Sequence, residues 1–112
     1  MGIPEIEKMI QHGDFNQALE AIEELATEDR LDGLILKGRI LERKGELNDA
    51  LRVAEEALRE SRTNGTNLQA INALIYCGYI YLTLWLWERL SEAIHEGEQL
   101  LNKLGGGRSK YN

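Results

Sequence analysis

A glycine-centred turn occurs twice in this chain and is missing where a third copy belongs. His12-Gly13-Asp14-Phe15-Asn16-Gln17-Ala18-Leu19 recurs as Lys44-Gly45-Glu46-Leu47-Asn48-Asp49-Ala50-Leu51. The third equivalent reads Leu84-Trp85-Leu86-Trp87-Glu88-Arg89-Leu90-Ser91, with Trp85 in the place of glycine. Glycine readily takes the backbone conformation that ends a helix and reverses the chain. The spacing therefore restricts the fold to helices joined by tight turns, and leaves one open question at residue 85: turn again, or run on.

Everything between the turns reads as helix. There is one proline, and the β-branched residues never alternate with a period of two, so the fold class is all-α. At 112 residues the chain forms a single domain. Pro4 suits the first turn of a helix running to about Gln11. Asp14 with Gln17 matches a capping box opening the second helix, whose stripe is Ala18, Ile22 and Leu25. A third helix follows Thr27-Glu28-Asp29 and runs to Lys44. A fourth covers about Leu47 to Ser61, with Leu51, Ala54, Ala57 and Leu58 inward. Residues 61–66 read as a loop by composition. Thr66 with Gln69 forms a second capping box, so a fifth helix starts near Asn67. Residues 105–112, glycine-rich at their start, are expected to be a flexible tail.

Self-comparison organises these helices into pairs. A shift of 32 residues places Gly13, Ala18, Leu19, Glu23 and Glu24 on Gly45, Ala50, Leu51, Glu55 and Glu56. A shift of 40 places Leu34, Ile35, Gly38 and Ile40 on Leu74, Ile75, Gly78 and Ile80. Three units follow, at about 4–27, 30–62 and 67–104, within one domain over 1–104. Gly38 and Gly78 fall inside helices, where glycine costs roughly 1 kcal/mol against alanine. Close approach of a neighbouring helix backbone is the expected reason for both.

The pattern resembles the tetratricopeptide repeat (TPR) family. Leu34, Gly38, Leu41, Gly45, Leu47, Ala50, Ala54 and Ala57 carry the resemblance best. Met9, Gly13, Phe15, Ala18, Ile22 and Leu25 in the first unit, and Leu74, Gly78, Tyr81, Trp87, Leu90, Ile94 and Gly97 in the third, carry it more weakly. The resemblance implies a right-handed α-solenoid of antiparallel helix pairs and a role in protein binding. It implies a concave groove lined by Ile35, Arg39, Glu42, Ile75, Tyr76, Tyr79, Leu82 and Thr83. The clamp by which chaperone-binding members hold a terminal carboxylate is replaced here by Ile3, Glu7, Leu36, Asn72 and Tyr76. An apolar, tyrosine-bearing groove suits an amphipathic helix instead, the alternative being that these residues pack against the chain's own elements.

No constellation points to catalysis, a metal or a cofactor. His12 and His95 have no ligand partner at metal spacing, and Cys77 falls where the repeat expects a core residue. Residues 105–110 lack the order and flanking elements of a phosphate loop. Asn64-Gly65-Thr66 reads as a turn and a cap rather than a glycosylation site. The net charge of −6 argues against nucleic acid and anionic membranes. Leu74 to Trp87 is apolar almost throughout, but 14 residues are short of the roughly 20 that span a bilayer. One cysteine and no secretory leader point to the cytoplasm.

At residue 85 the sequence favours running on. Ile71, Ile75, Gly78, Leu82, Leu86, Leu90, Ala93, Gly97, Leu100 and Leu104 step by three or four across the supposed turn. A turn is expected to expose Leu84, Trp85 and Leu86, whereas Trp87 falls where the repeat is expected to bury Phe15 and Leu47. The expectation is that the third unit merges into one helix over 67–104, roughly 57 Å long. Its second half then finds its place on a partner, giving a domain-swapped homodimer centred on Leu82, Trp85, Leu86 and Arg89. The alternative is a monomer binding a helical peptide of another protein. An interrupted repeat of this kind also fits an engineered oligomer.

Overall fold

The computed structural model describes residues 2–105. Six helices follow one another: α1 (Ile3–Gln11), α2 (Phe15–Glu23), α3 (Arg30–Arg43), α4 (Leu47–Asn64), α5 (Asn67–Thr83) and α6 (Trp87–Gly105), with a 3₁₀ turn at Thr27–Asp29 before α3. Among the described residues there is no strand. Each helix packs against the next, and α1, α3 and α5 also touch in succession, forming one layer flanked by α2, α4 and α6. The expected tail lies outside the described residues except for Gly105, which closes α6.

The core has two parts that meet at α3. Ile6 and Ile10 of α1 and Ala18 and Ala21 of α2 pack against Leu36 and Ile40. Ile35 and Leu41, on the other side of α3, join a larger cluster containing Ala54, Ala57, Leu74, Cys77, Ile80 and Ala93. No single helix pair covers its own apolar face, so the pairs stabilise one another. Arg43 links the first two pairs: its guanidinium donates to the Ile10 carbonyl at 2.8 Å and lies 5.5 Å from the centre of the Phe15 ring.

The glycine turns share one hydrogen-bond scheme. Gly13 N–H donates to Ile10 O and Asp14 N–H to Met9 O; Gly45 N–H donates to Glu42 O and Glu46 N–H to Leu41 O. This is a Schellman turn, with glycine at φ +81° and +80°. Residues 84–86 repeat it: Trp85 N–H donates to Leu82 O at 3.2 Å and Leu86 N–H to Tyr81 O at 2.8 Å. Trp85 takes φ +61°, and among the described residues it is the sole non-glycine with positive φ.

The expected merged helix over 67–104 is therefore corrected: α5 ends at Thr83 and α6 begins at Trp87. The left-handed backbone at Trp85 costs about 1–2 kcal/mol. Against it stands the return of α6, which sets Leu84, Leu86, Leu90 and Leu100 against the main core. Even half-burial of four leucines, at roughly 1.5–3 kcal/mol each when complete, outweighs that strain. Helix preference adds only a few tenths of a kcal/mol per position and does not decide the matter.

Three smaller expectations also change. The loop at 61–66 shrinks to Gly65 and Thr66, because α4 continues to Asn64. Ser61 and Thr63 hydroxyls donate back to the Ala57 and Arg59 carbonyls at 2.7 and 3.0 Å, which keeps these polar residues helical. Asp14 makes no side-chain cap; its N–H already closes the preceding turn and its backbone is not extended. Gly38 faces the Ala54 backbone, where a Cβ would lie 3.6 Å away, but Gly78 faces only Leu90 Cδ1 at 3.7 Å. Backbone approach thus accounts for the first glycine alone. The Thr66–Gln69 capping box forms in both directions.

Candidate self-association surface

The apolar residues of the third pair are distributed unlike those of the first two. Among the described residues, every exposed large hydrophobic side chain lies between positions 68 and 104. Leu68, Ile75, Tyr79 and Leu82 lie on α5, Trp85 in the turn, and Trp87, Ile94, Leu101 and Leu104 on α6. On α5 the spacing 68, 75, 79, 82 is that of one helix face, opposite the side that carries its buried residues. In the first two pairs the corresponding large residues are at least half covered.

Of the expected association residues, Leu82 and Trp85 are exposed, Trp85 by 73%. Leu84 and Leu86, expected to protrude from a turn, instead lean onto the core. Trp87, expected in the core, is exposed and meets Trp85 edge to face, with ring centres 5.3 Å apart. Its alignment with Phe15 and Leu47 failed because the tryptophan pair gives the ring a place outside. Arg89 is exposed and lies 3.6 Å from Glu55 of α4.

The expected groove is only partly assembled. Ile35 is buried in the main core, so it lines nothing. Ile75, Tyr79 and Thr83 are exposed, whereas Arg39, Glu42 and Tyr76 are partly buried. Tyr76 and Tyr79 tilt towards each other at 6.5 Å. The Thr83 hydroxyl donates to the Tyr79 carbonyl at 2.8 Å. A separate hollow of about 760 Å³ opens where α2 stops at Glu23 while α4 continues to Asn64; its lining includes Leu25, Leu34, Glu56 and Glu60.

A polar network missed by the sequence reading ties α4 to α5 and α6. The Tyr81 hydroxyl donates to Glu55 at 2.8 Å, and Arg62 donates through Nε at 2.9 Å and through Nη2 to the two oxygens of Glu96. The hydrogen bond from Arg62 holds the Glu96 carboxyl below its usual range and raises the guanidinium in turn. Burial, then the hydrogen bond to Glu55, pushes the Tyr81 hydroxyl well up. Glutamates and arginines occur on every helix, so no sequence signal singled these out.

Cys77 is fully buried, and desolvation pushes its thiol up to about 11. Such a thiol lacks the thiolate character of a nucleophile. His12 and His95 are exposed, His12 capping the C-terminus of α1. Among the described residues, no acidic, cysteine or histidine cluster could hold a metal, and no helix is long and apolar enough to cross a membrane. No protein-family model, curated protein or solved structure matches the chain.

Proposed function

We propose that the chain is a non-catalytic, TPR-like interaction scaffold that self-associates through its third helix pair, two copies exchanging α6. The observation that carries this reading is Trp85 at φ +61°, a bulky residue in the position that glycine fills in the other two turns. A short connection under strain favours exchange, because opening it removes the strain in both chains while preserving the helix contacts. The exposed hydrophobic residues around it give the opened connections something to bury against. The resemblance of the repeat to TPR units supports a scaffold role, and the paired helices support a solenoid arrangement.

Sedimentation at micromolar concentration is expected to give a dimer, reduced in Trp85→Gly. Trp85→Ala separates strain from surface: alanine keeps the left-handed penalty but loses the indole. If strain drives exchange, the alanine variant stays dimeric and the glycine variant does not. A wild-type chain that sediments as a monomer overturns the reading.

A second reading rests on the exposed face of α5. There Ile75 and Tyr79 could receive a helical peptide of another protein, beside Tyr76, Arg39 and Glu42. Binding of such a peptide that is lost in Tyr79→Ala but kept in Trp85→Gly distinguishes it.

A further inference from the structure

Two ion pairs bridge α4 and α6 with matched spacing. Glu55 and Arg62 are seven residues apart on α4; Arg89 and Glu96 are seven apart on α6. Seven residues are two helical turns, roughly 10.5 Å, so each pair of side chains shares a face. Glu55 meets Arg89 at 3.6 Å, and Arg62 meets Glu96 through two hydrogen bonds. Along α4 the signs read minus then plus, and along α6 plus then minus. The two helices run the same way, as second members of successive pairs must.

We infer that these four residues form a charge code by which α4 recognises the α6 of a second copy of this chain. The inference rests on the exchange reading above. When α6 is exchanged, α4 stays with its own body, so every α4–α6 contact passes between chains with its geometry preserved. The alternating signs then fix direction and register. An α6 laid in reverse brings Arg89 to Arg62 and Glu96 to Glu55, and a slip of two turns also sets like charges together. Paired charges on the flanks of coiled coils choose partner and orientation in the same way. Direct α4–α6 backbone packing is sparse, since α4 packs on α3 and α5 and α6 packs on α5, which leaves these side chains to carry the discrimination.

The test uses Arg62→Glu and Glu96→Arg as two separate full-length chains, compared with the wild type by native mass spectrometry. Each variant alone sets like charges against each other at this contact, whether exchanged or not. In an exchanged heterodimer, the introduced glutamate of one chain meets the introduced arginine of the other. At the second contact, the native Arg62 of one meets the native Glu96 of the other. Only exchange relieves both contacts at once. The ratio of heterodimer to homodimers is expected to rise roughly five- to tenfold above its statistical value at low salt, an excess that shrinks as salt is raised. A wild-type dimer with a merely statistical mixture of variants overturns the code while leaving self-association standing. Absence of dimer in the wild type and the mixture overturns self-association and the code together. If either variant loses helical circular dichroism, Arg89→Glu mixed with Glu55→Arg repeats the comparison at the other pair.

Discussion

Cys77 and Tyr81 are single residues whose burial ties the stability of this fold to alkaline pH. Both sit on α5 beside Glu55, and both are harder to ionise when folded than in an open chain. For Cys77 the window runs from its ordinary value of 9.0 to about 11. Between those limits the unfolded chain loses its proton first, so stability falls as pH rises. Below pH 9 the contribution is fully present. Chemical denaturation is therefore expected to give a stability that declines above about pH 9, with a shallower slope in Cys77→Ala; a flat profile to pH 11 contradicts the burial. The inert core role of Cys77 was legible from its alignment in the repeat. The charged partners that reinforce its shift were not, because Glu55 resembles every other surface glutamate until α5 is laid beside α4. Trp85 failed at the same scale for a different reason: its intrinsic helix preference is real but smaller than the burial gained by turning.

At the scale of elements, the first two turns and the start of α5 were readable because their signals are local. Thr66 and Gln69 cap the same helix end that their spacing implied, with Gln69 N–H donating to the Thr66 hydroxyl at 3.1 Å. Thr66→Ala is expected to cost about 1 kcal/mol in urea-induced unfolding. The glutamine also donates to Asp32 of α3 at 3.0 Å, so Gln69→Ala is expected to cost at least as much. The end of α4 was not readable, since polar residues that suggest a loop can instead bond back to the preceding turn. Gly78 gives the contrasting case. Its matching position in the repeat suggested a close backbone, yet an added Cβ meets only a leucine methyl at 3.7 Å. Gly78→Ala is accordingly expected to stabilise the chain by up to about 1 kcal/mol through helix preference alone. A destabilised variant would mean that α6 packs more tightly on α5 than this contact allows.

For the whole molecule, the asymmetry between its ends matters most. The exposed surface of α1 is largely charged or polar, with Glu5, Glu7, Lys8 and Gln11 outward, whereas α5 and α6 present bulky apolar residues. Stacked helices need polar outer faces at the ends of the stack; α1 presents one, whereas α6 interrupts its polar residues with Trp87, Ile94, Leu101 and Leu104. On the exchange reading, association is directed to that end, and two copies meet by like ends rather than growing into a filament. The protomer is already elongated, 45 × 31 × 25 Å, with a radius of gyration of 14.6 Å against about 13 Å for a compact chain of its length. Joining two such bodies through exchanged C-terminal helices extends the particle further. Solution scattering is expected to give a radius above about 17 Å, the value for a compact chain of twice the length. Dilution should bring it back towards 14.6 Å as the dimer separates. Over the same range the midpoint of thermal unfolding should fall by a few degrees per tenfold dilution, because association stabilises the folded chain by mass action. Helical circular dichroism should stay nearly constant, since exchange changes which molecule a helix packs on and little else. A radius near 14.6 Å at every concentration, with a midpoint indifferent to dilution, would leave Trp85 strained in a monomer and remove the argument for exchange.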